Sequence, residues 1–492
     1  MRYVALAAGF DGTLARNGRY DERCAAALRA LAATGRKLIL VTARELRELL
    51  EIFPLARVFD YIVAENGAVM HQPATRESEI LAQAPSEALL QELQRRKIAP
   101  LNVGSSIVTT SIENECEVRN ALQKLQLDCQ LAQNEGTLIV LPAEVNKASG
   151  VEEALKQLGV SQHNLVVIGD AQNDLALFDL AEHAVAVQNA DPLLKRVADR
   201  ITHGAYCEGF LELARDLMVG DLAYAQPKIR IELGRRAALD DVTIAPYYDS
   251  LLVCGASGKA AFCNRLFEKM LVHGYQCCIV GADLSGAHRA PAGVREFGQS
   301  SEVPRLSEIM SALEQPETSV AVNLAALPAE TRPVFTAALL LQLQALHDRV
   351  GRPHSVLVHQ AHWFLMADAL PATATRLAEM TMVYATAEPD RLPSEILERV
   401  QTVISLDGGR SIPRQLAGLG EASWMQLEYA SDSKAKAARI AQVWIRGQRS
   451  DSACSALNAI AGEADCEASD PRAGADLNSA PSSNELRSLS EY

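Results

Sequence analysis

Short apolar runs alternate with amphipathic stretches along most of the chain. Residues 3–8 (YVALAA) are apolar on both faces and are followed at once by Gly9 and Asp11, which predicts a buried strand ending in a turn. Residues 21–34 (DERCAAALRALAAT) carry a helical pattern with Asp21 placed as N-cap. The run RKLILVTAR (36–44) predicts a second strand, residues 44–52 a helix, and DYIVAENGAV (60–69) a third strand. Strand–helix–strand alternation at this spacing predicts a doubly wound parallel α/β sheet. Between 74 and 144 helical segments mix with short strands (SSIVTTSI, TLIVLP), which predicts an inserted α/β lobe. The first pattern resumes at NLVVIGDAQND (164–174) and HAVAVQNA (183–190). The sheet is therefore expected from residues 1–73 and 145–222, with 74–144 inserted.

Residues 223–242 are polar and mixed and are expected to be a linker. A second α/β unit is expected over 243–446. Its strands would be SLLVCG, QCCIVGA, SVAVNLA, SVLVHQ and TMVYAT. From 447 to 492 the chain is rich in Ser and Ala, with eight acids against three bases. That composition predicts a disordered acidic tail, to which a protein partner could bind.

Bulk properties narrow the function classes. Of 492 residues, 48% are hydrophobic, and the formal net charge is −14. Such a balance disfavours a nucleic-acid partner, which needs clustered Lys and Arg. There is no apolar run of the roughly 18 residues a membrane span needs. The ten cysteines are scattered and form no CxxC pair, which is the usage of reduced thiols in a cytoplasmic protein.

Four strand ends carry candidate chemistry. Asp11 follows the first strand, Thr42 the second, and Lys147 lies in VNKASG; Asp170, Asn173 and Asp174 lie in VVIGDAQND. In an open parallel sheet such positions converge on one crevice. Carboxylates suit magnesium, and a lysine and a hydroxyl suit phosphoryl oxygens. With AENGAV (64–69) and VNKASGVEEAL (145–155), these motifs resemble the haloacid dehalogenase-like phosphatases with a large α/β cap. The resemblance covers residues 1 to about 222. It implies an Asp-x-Asp-Gly-Thr line whose first Asp attacks phosphorus and binds magnesium and whose second is general acid and base. Here the line reads Gly9-Phe10-Asp11-Gly12-Thr13. Asp11 keeps the acid/base place, while Thr42 and Lys147 keep the phosphate-binding places. Asp170, Asn173 and Asp174 keep the metal-side places. Gly9 offers neither nucleophile nor ligand, so magnesium is expected to be held more weakly. Ala43 also replaces the usual glycine of the phosphate loop.

A second constellation opens with SLLVCGASGKAAFCNRLFEKML, read as strand, Gly-rich turn and helix. The phosphate cradle GxxxxGK[ST] needs four residues between its glycines. Gly255 and Gly258 enclose two, and Lys259 is followed by Ala260 rather than a hydroxyl. With GRPH (351–354) and QAHW (360–363), residues from about 230 to 445 resemble the HerA/FtsK-like P-loop ATPases. His359-Gln360 stands where that resemblance implies an acidic pair. Bound ATP is therefore not expected.

These readings predict a pseudophosphatase that binds a phosphorylated ligand or partner. One alternative is a weak magnesium-dependent phosphatase acting on a small phosphate ester such as a sugar phosphate. Another is nucleotide binding without hydrolysis in the second unit.

Overall fold

The N-terminal apolar runs are buried on both faces, as strands in the middle of a parallel sheet must be. The computed structural model describes residues 1–134, 136–236, 241–247, 250–284, 289–298, 302–365, 380–407, 410–413, 424–429 and 439–445. The expected tail at 447–492 lies outside them.

The first sheet begins with β1 (Ala5–Gly9), entirely buried. A two-residue hairpin, β2 (Ala15–Arg16) and β3 (Arg19–Tyr20), leads into α1 (Glu22–Ala33). The Asp21 side chain accepts the Arg23 N–H and caps this helix. Then come β4 (Lys37–Val41), α2 (Leu46–Ile52), β5 (Tyr61–Ala64), β6 (Val69–Gln72) and β7 (Glu77–Ile80).

The inserted lobe packs α3 (Glu87–Arg95) and α4 (Glu115–Leu125) with a four-stranded antiparallel sheet. Its strands are β8 (Leu101–Val103), β9 (Val108–Ser111), β10 (Cys129–Asn134) and β11 (Thr137–Pro142), in the order β10-β11-β9-β8. Leu89, Leu93, Val118, Leu122, Leu138 and Val140 form its own small core.

The chain returns through α5 (Lys147–Leu158), β12 (Leu165–Gly169), α6 (Leu175–Leu180), β13 (His183–Ala186), α7 (Pro192–Val197), β14 (Arg200–Ile201) and α8 (Cys207–Gly220). The first sheet runs β14-β13-β12-β1-β4-β5-β6-β7. It is parallel from β14 to β5, and β6 and β7 add an antiparallel edge. Residues 77–80 thus belong to this sheet, because β7 hydrogen-bonds to β6.

The stretch expected as a linker does not stay unstructured. Residues 231–244 contain β15 (Ile231–Arg236) and β16 (Asp241–Ile244), which pair with each other. The apolar positions Ile231, Leu233, Val242 and Ile244 are buried in the second unit, and burying them drives the pairing. The remaining elements are β17 (Ser250–Cys254), α9 (Lys259–Val272), β18 (Cys277–Gly281), β19 (Arg295–Phe297), α10 (Leu306–Leu313), β20 (Val320–Asn323) and α11 (Arg332–Val350). They end with β21 (Ser355–His359), β22 (Thr381–Thr386), α12 (Ser394–Leu397), β23 (Val400–Ser405), β24 (Trp424–Tyr429) and β25 (Arg439–Ile445). The second sheet runs β16-β15-β24-β25-β23-β17-β22-β21-β18-β20-β19, parallel from β23 to β19. All five expected strands are present, with β17 in the interior of the parallel part.

The two sheets are joined by buried polar contacts. The Arg352 guanidinium donates to Gly159 O at 2.6 Å, to Leu313 O at 3.0 Å and to Gln276 Oε1 at 3.0 Å. Asn164 Nδ2 donates to Arg2 O and to Gly351 O. Glu182 accepts from Tyr247 at 2.6 Å and from His163 Nδ1 at 2.9 Å, and His163 is stacked on Tyr275. His163 Nε2 lies 2.7 Å from His273 O. This junction lies before the start of β12, at the opposite end of that strand from Asp170.

Candidate active site

Three turns and two helix starts build the site at the carboxyl ends of β1, β4 and β12. The turn after β1 brings the chain back sharply, with Leu14 N and Ala15 N donating to Phe10 O. Gly12 sits at φ 74° with Asp170 pressed against it; a Cβ there would lie 1.8 Å from Asp170 Oδ2. Glycine is required on both counts. Asn189 Nδ2 donates to Gly12 O at 2.9 Å and holds the turn from the far side. Thr13 Oγ1 donates to Asp170 Oδ1 at 3.0 Å.

Gly9 ends β1 fully buried. A Cβ built there would meet Thr13 Oγ1 at 3.0 Å and Thr13 Cβ at 3.4 Å. The place is tight, because Thr13 is buried and its hydroxyl is bonded to Asp170.

Asp11 is engaged in a two-pronged ion pair. Arg44 Nε and Nη2 donate to its two carboxylate oxygens at 2.7 and 2.9 Å, and Arg44 also pairs with Glu48. The Asp11 hydrogen bond, working against burial, raises the Arg44 pKa. Thr42 Oγ1 accepts the Arg44 N–H at 3.1 Å.

On the other side, Asn146 caps α5 with a reciprocal capping box to Ser149, which sets Lys147 at the first helical position. Lys147 is buried. Its Nζ donates to Asp174 Oδ1 at 2.7 Å and to Asn173 Oδ1 at 2.9 Å. Asp174 Oδ2 accepts the N–H groups of Asp170 and Ala171. Asn173 Nδ2 donates to Asn66 Oδ1, and Asn66 N donates to Thr42 O.

A hydrogen-bonded network therefore joins Thr42, Lys147, Asn173 and Asp174. A second set at the same strand ends joins Asp11 to Arg44, whose N–H reaches Thr42, and Thr13 to Asp170. Arg44, Glu65, Asn66 and Asn189 are residues the sequence reading did not single out. All four lie inside or beside motifs it quoted, but only the fold shows what each touches. Glu65 and Asn66 hold positive φ (50° and 54°). The buried Glu65 carboxylate accepts Ser105 N at 3.0 Å and Ser106 N at 2.9 Å, which ties the inserted lobe to the rim of the site.

Magnesium is the metal the resemblance implies, and a hard cation needs several oxygen ligands. Gly9 supplies none. Both Asp11 oxygens are taken by Arg44, both Asp174 oxygens by Lys147 and backbone N–H groups, and Asp170 accepts from Thr13. Among the described residues no group of three or more His, Cys, Asp or Glu side chains could hold a metal ion. Asp170, Asn173 and Asp174 are the residues that would hold magnesium, with one carboxylate fewer than the resemblance implies because position 9 is glycine.

The second constellation is built differently. Gly255 (φ 140°) and Gly258 (φ 85°) make the turn before α9. Lys259 Nζ folds back to Gly255 O at 2.5 Å and to Ala256 O at 3.4 Å, and burial lowers its pKa. The ammonium is thus held by carbonyls of its own turn. Asp407, near this turn, is taken up by Ser405 and Ser411. His359 is buried at the end of β21, and Gln360 follows at φ 53°. The neighbouring His362 faces Thr386 Oγ1 at 2.8 Å.

Comparison with known proteins bears on the N-terminal part. The sequence pattern of the haloacid dehalogenase-like hydrolases matches residues 6–114 and 92–212. The phosphoglycolate phosphatase of Methanothermobacter thermautotrophicus is 28% identical over 222 residues, covering 44% of this chain and 98% of the relative. That of Natronomonas pharaonis is 31% identical over 220 residues, covering 42% and 94%. A solved haloacid dehalogenase-like hydrolase from Bacteroides thetaiotaomicron aligns with 44% of this chain and 99% of its own, at 19% identity and a TM-score of 0.40. Through residues 6–212 this chain belongs to the haloacid dehalogenase-like hydrolases.

Proposed function

We propose that the N-terminal domain is a pseudophosphatase, which binds a small phosphate monoester or a phosphorylated partner without turning it over. One observation carries this reading: Gly9, with no side chain, stands where the family's attacking carboxylate would be. The Arg44 ion pair adds to it by occupying Asp11, the acid/base position. Losing a covalent nucleophile removes several orders of magnitude in rate.

Binding is supported by groups that keep donors to spare. An ammonium has three N–H bonds, and Lys147 uses two of them on Asn173 and Asp174. Thr42 accepts from Arg44, so its own hydroxyl hydrogen can be given to a phosphoryl oxygen. Two of the relatives are named phosphoglycolate phosphatases, which makes phosphoglycolate the first ligand to try.

Calorimetry with phosphoglycolate and with inorganic phosphate is expected to show binding that Lys147→Met weakens. A parallel hydrolysis assay with magnesium is expected to stay at background. Turnover above background that Asp170→Ala abolishes would establish the alternative, a weak phosphatase.

For residues 243–446 we infer a degenerate P-loop-like unit with no nucleotide role. The strand–turn–helix of β17 and α9, inside a parallel sheet, supports the likeness. The short spacing between Gly255 and Gly258 and Ala260 in place of a hydroxyl support the lack of a phosphate cradle. Millimolar ATP binding that Lys259→Ala removes would overturn this.

A further inference from the structure

The inserted lobe comes down on the phosphate site with one face of its sheet. Side chains alternate along β10 and β11. Leu131, Leu138 and Val140 turn into the lobe's own core. Ala132, Ile139 and Leu141 turn the other way and, with Ile107, pack against Ala43, Ala68 and Val145 of the first sheet's loops. Ala43 directly follows Thr42, so its methyl group is part of the lobe's seat. Ala132 lies opposite Ile139, and its strand β10 lies beside the turn Gln172–Asp174. Ala132 therefore stands between the Ala43 loop and the Asn173 turn, above Thr42 and Lys147. Glu65 fixes this placement from the rim through Ser105 N and Ser106 N. Gln130 Nε2 fixes it from the return crossing, donating to Pro142 O at 2.9 Å and Ala143 O at 3.0 Å.

These side chains of the lobe carry no charge. Ala132, Ile139, Leu141 and Ile107 are hydrocarbon, and Thr109, opposite Ile139 on the next strand, is a hydroxyl. Below them, both cations already face carboxylates. Lys147 faces Asp174, and Arg44 faces Asp11 and Glu48. Glu45 stands at the same rim, and burial, helped by the Glu65 and Glu48 carboxylates, raises its pKa. A phosphate monoester held by Thr42 and Lys147 sends its tail up towards Ala132. A carboxylate on that tail would lose water without gaining a cation, and desolvating an unpaired charge is costly. A methyl or hydroxyl tail meets no such penalty.

We propose that this site selects phosphate monoesters with an uncharged tail and discriminates against phosphoglycolate, after which the relatives are named. Ala132 is the position that sets the choice. The selection rests on the phosphate-binding reading given above and narrows its ligand.

Calorimetry on the full chain tests this with inorganic phosphate, ethyl phosphate and phosphoglycolate. Inorganic phosphate reports on the phosphate-binding groups alone. The two esters share one short chain and differ at its end, a methyl against a carboxylate. Inorganic phosphate and ethyl phosphate are expected to bind, and phosphoglycolate to bind at least about tenfold more weakly than ethyl phosphate. In Ala132→Lys the order of the two esters is expected to reverse, because an ammonium then meets the carboxylate. Ala132→Gln, which adds similar length without charge, is expected to keep the parent order. Phosphoglycolate binding as tightly as ethyl phosphate in the parent would overturn the selection, while bound inorganic phosphate would leave the phosphate-binding reading standing. No binding of inorganic phosphate would overturn that reading and the selection with it. An unreversed order in Ala132→Lys with the parent's circular dichroism would overturn the role of Ala132. The comparison in the parent chain stands even if Ala132→Lys does not fold.

Discussion

Each half of the molecule has a lysine at the start of a helix beside a parallel strand, and the two lysines end up in opposite surroundings. Lys147 is buried and faces the side chains of Asn173 and Asp174. Lys259 folds back on the carbonyls of its own turn. Side chains can yield to a ligand oxygen, and the first site lacks one group, at Gly9, inside an otherwise bonded frame. In the second half the carbonyls of the turn itself hold the ammonium, so Lys259 is tied, among the described residues, to no other element. One lysine is thus held across the fold by distant side chains, and the other only locally.

The comparison can be tested in order of effect. Lys147→Ala leaves Asp174 buried opposite no cation, and breaking a buried pair this way costs about 4 kcal/mol. Urea unfolding is expected to show that loss; a change under 1 kcal/mol would mean that the pair is not the anchor of the first site.

Acid is expected to act next. Burial without a hydrogen-bond partner for either ring nitrogen holds His183 at about 4, below its ordinary 6.5. The unfolded chain takes up the proton first as pH falls, so this contribution is full above pH 6.5 and drains towards pH 4, reaching about 3 kcal/mol. Thermal unfolding across that window should be flatter in His183→Gln. Part of the acid effect should persist in that variant, because burial lowers His354 at the junction in the same direction.

Gly9→Asp should follow. Thr13 must give by a few tenths of an ångström, and Asp11 remains held by Arg44. A gain of roughly tenfold in phosphoglycolate hydrolysis is expected, well short of what a full nucleophile supplies. No gain at all would mean that the frame of the first site has itself drifted. The smallest effect belongs to Lys259→Ala, which removes only bonds to its own turn. Its stability should stay within about 1 kcal/mol of the parent in the same urea experiment.

Much of the fold is legible in the sequence because buried parallel strands leave uninterrupted apolar runs. YVALAA, RKLILV, NLVVIG and the five runs of the second half all became strands. The pattern failed at 223–242, where alternation over two short strands is diluted by charged residues that face outward. It also placed the end of the first sheet too early, because β7 is exposed along its length and carries no apolar signal.

By itself, the sequence determined that Gly9 has no carboxylate, that two residues separate Gly255 from Gly258, and that Asp11, Thr42 and Asp170 follow apolar strand runs. Composition and spacing are properties of the chain and survive any packing. Only the tertiary structure decided that Arg44 occupies Asp11, that Glu65 ties the lobe to the rim, and that Lys259 turns back on its own turn. Each of those is a contact between residues distant in the chain or a choice of rotamer, and neither leaves a period for the sequence to display.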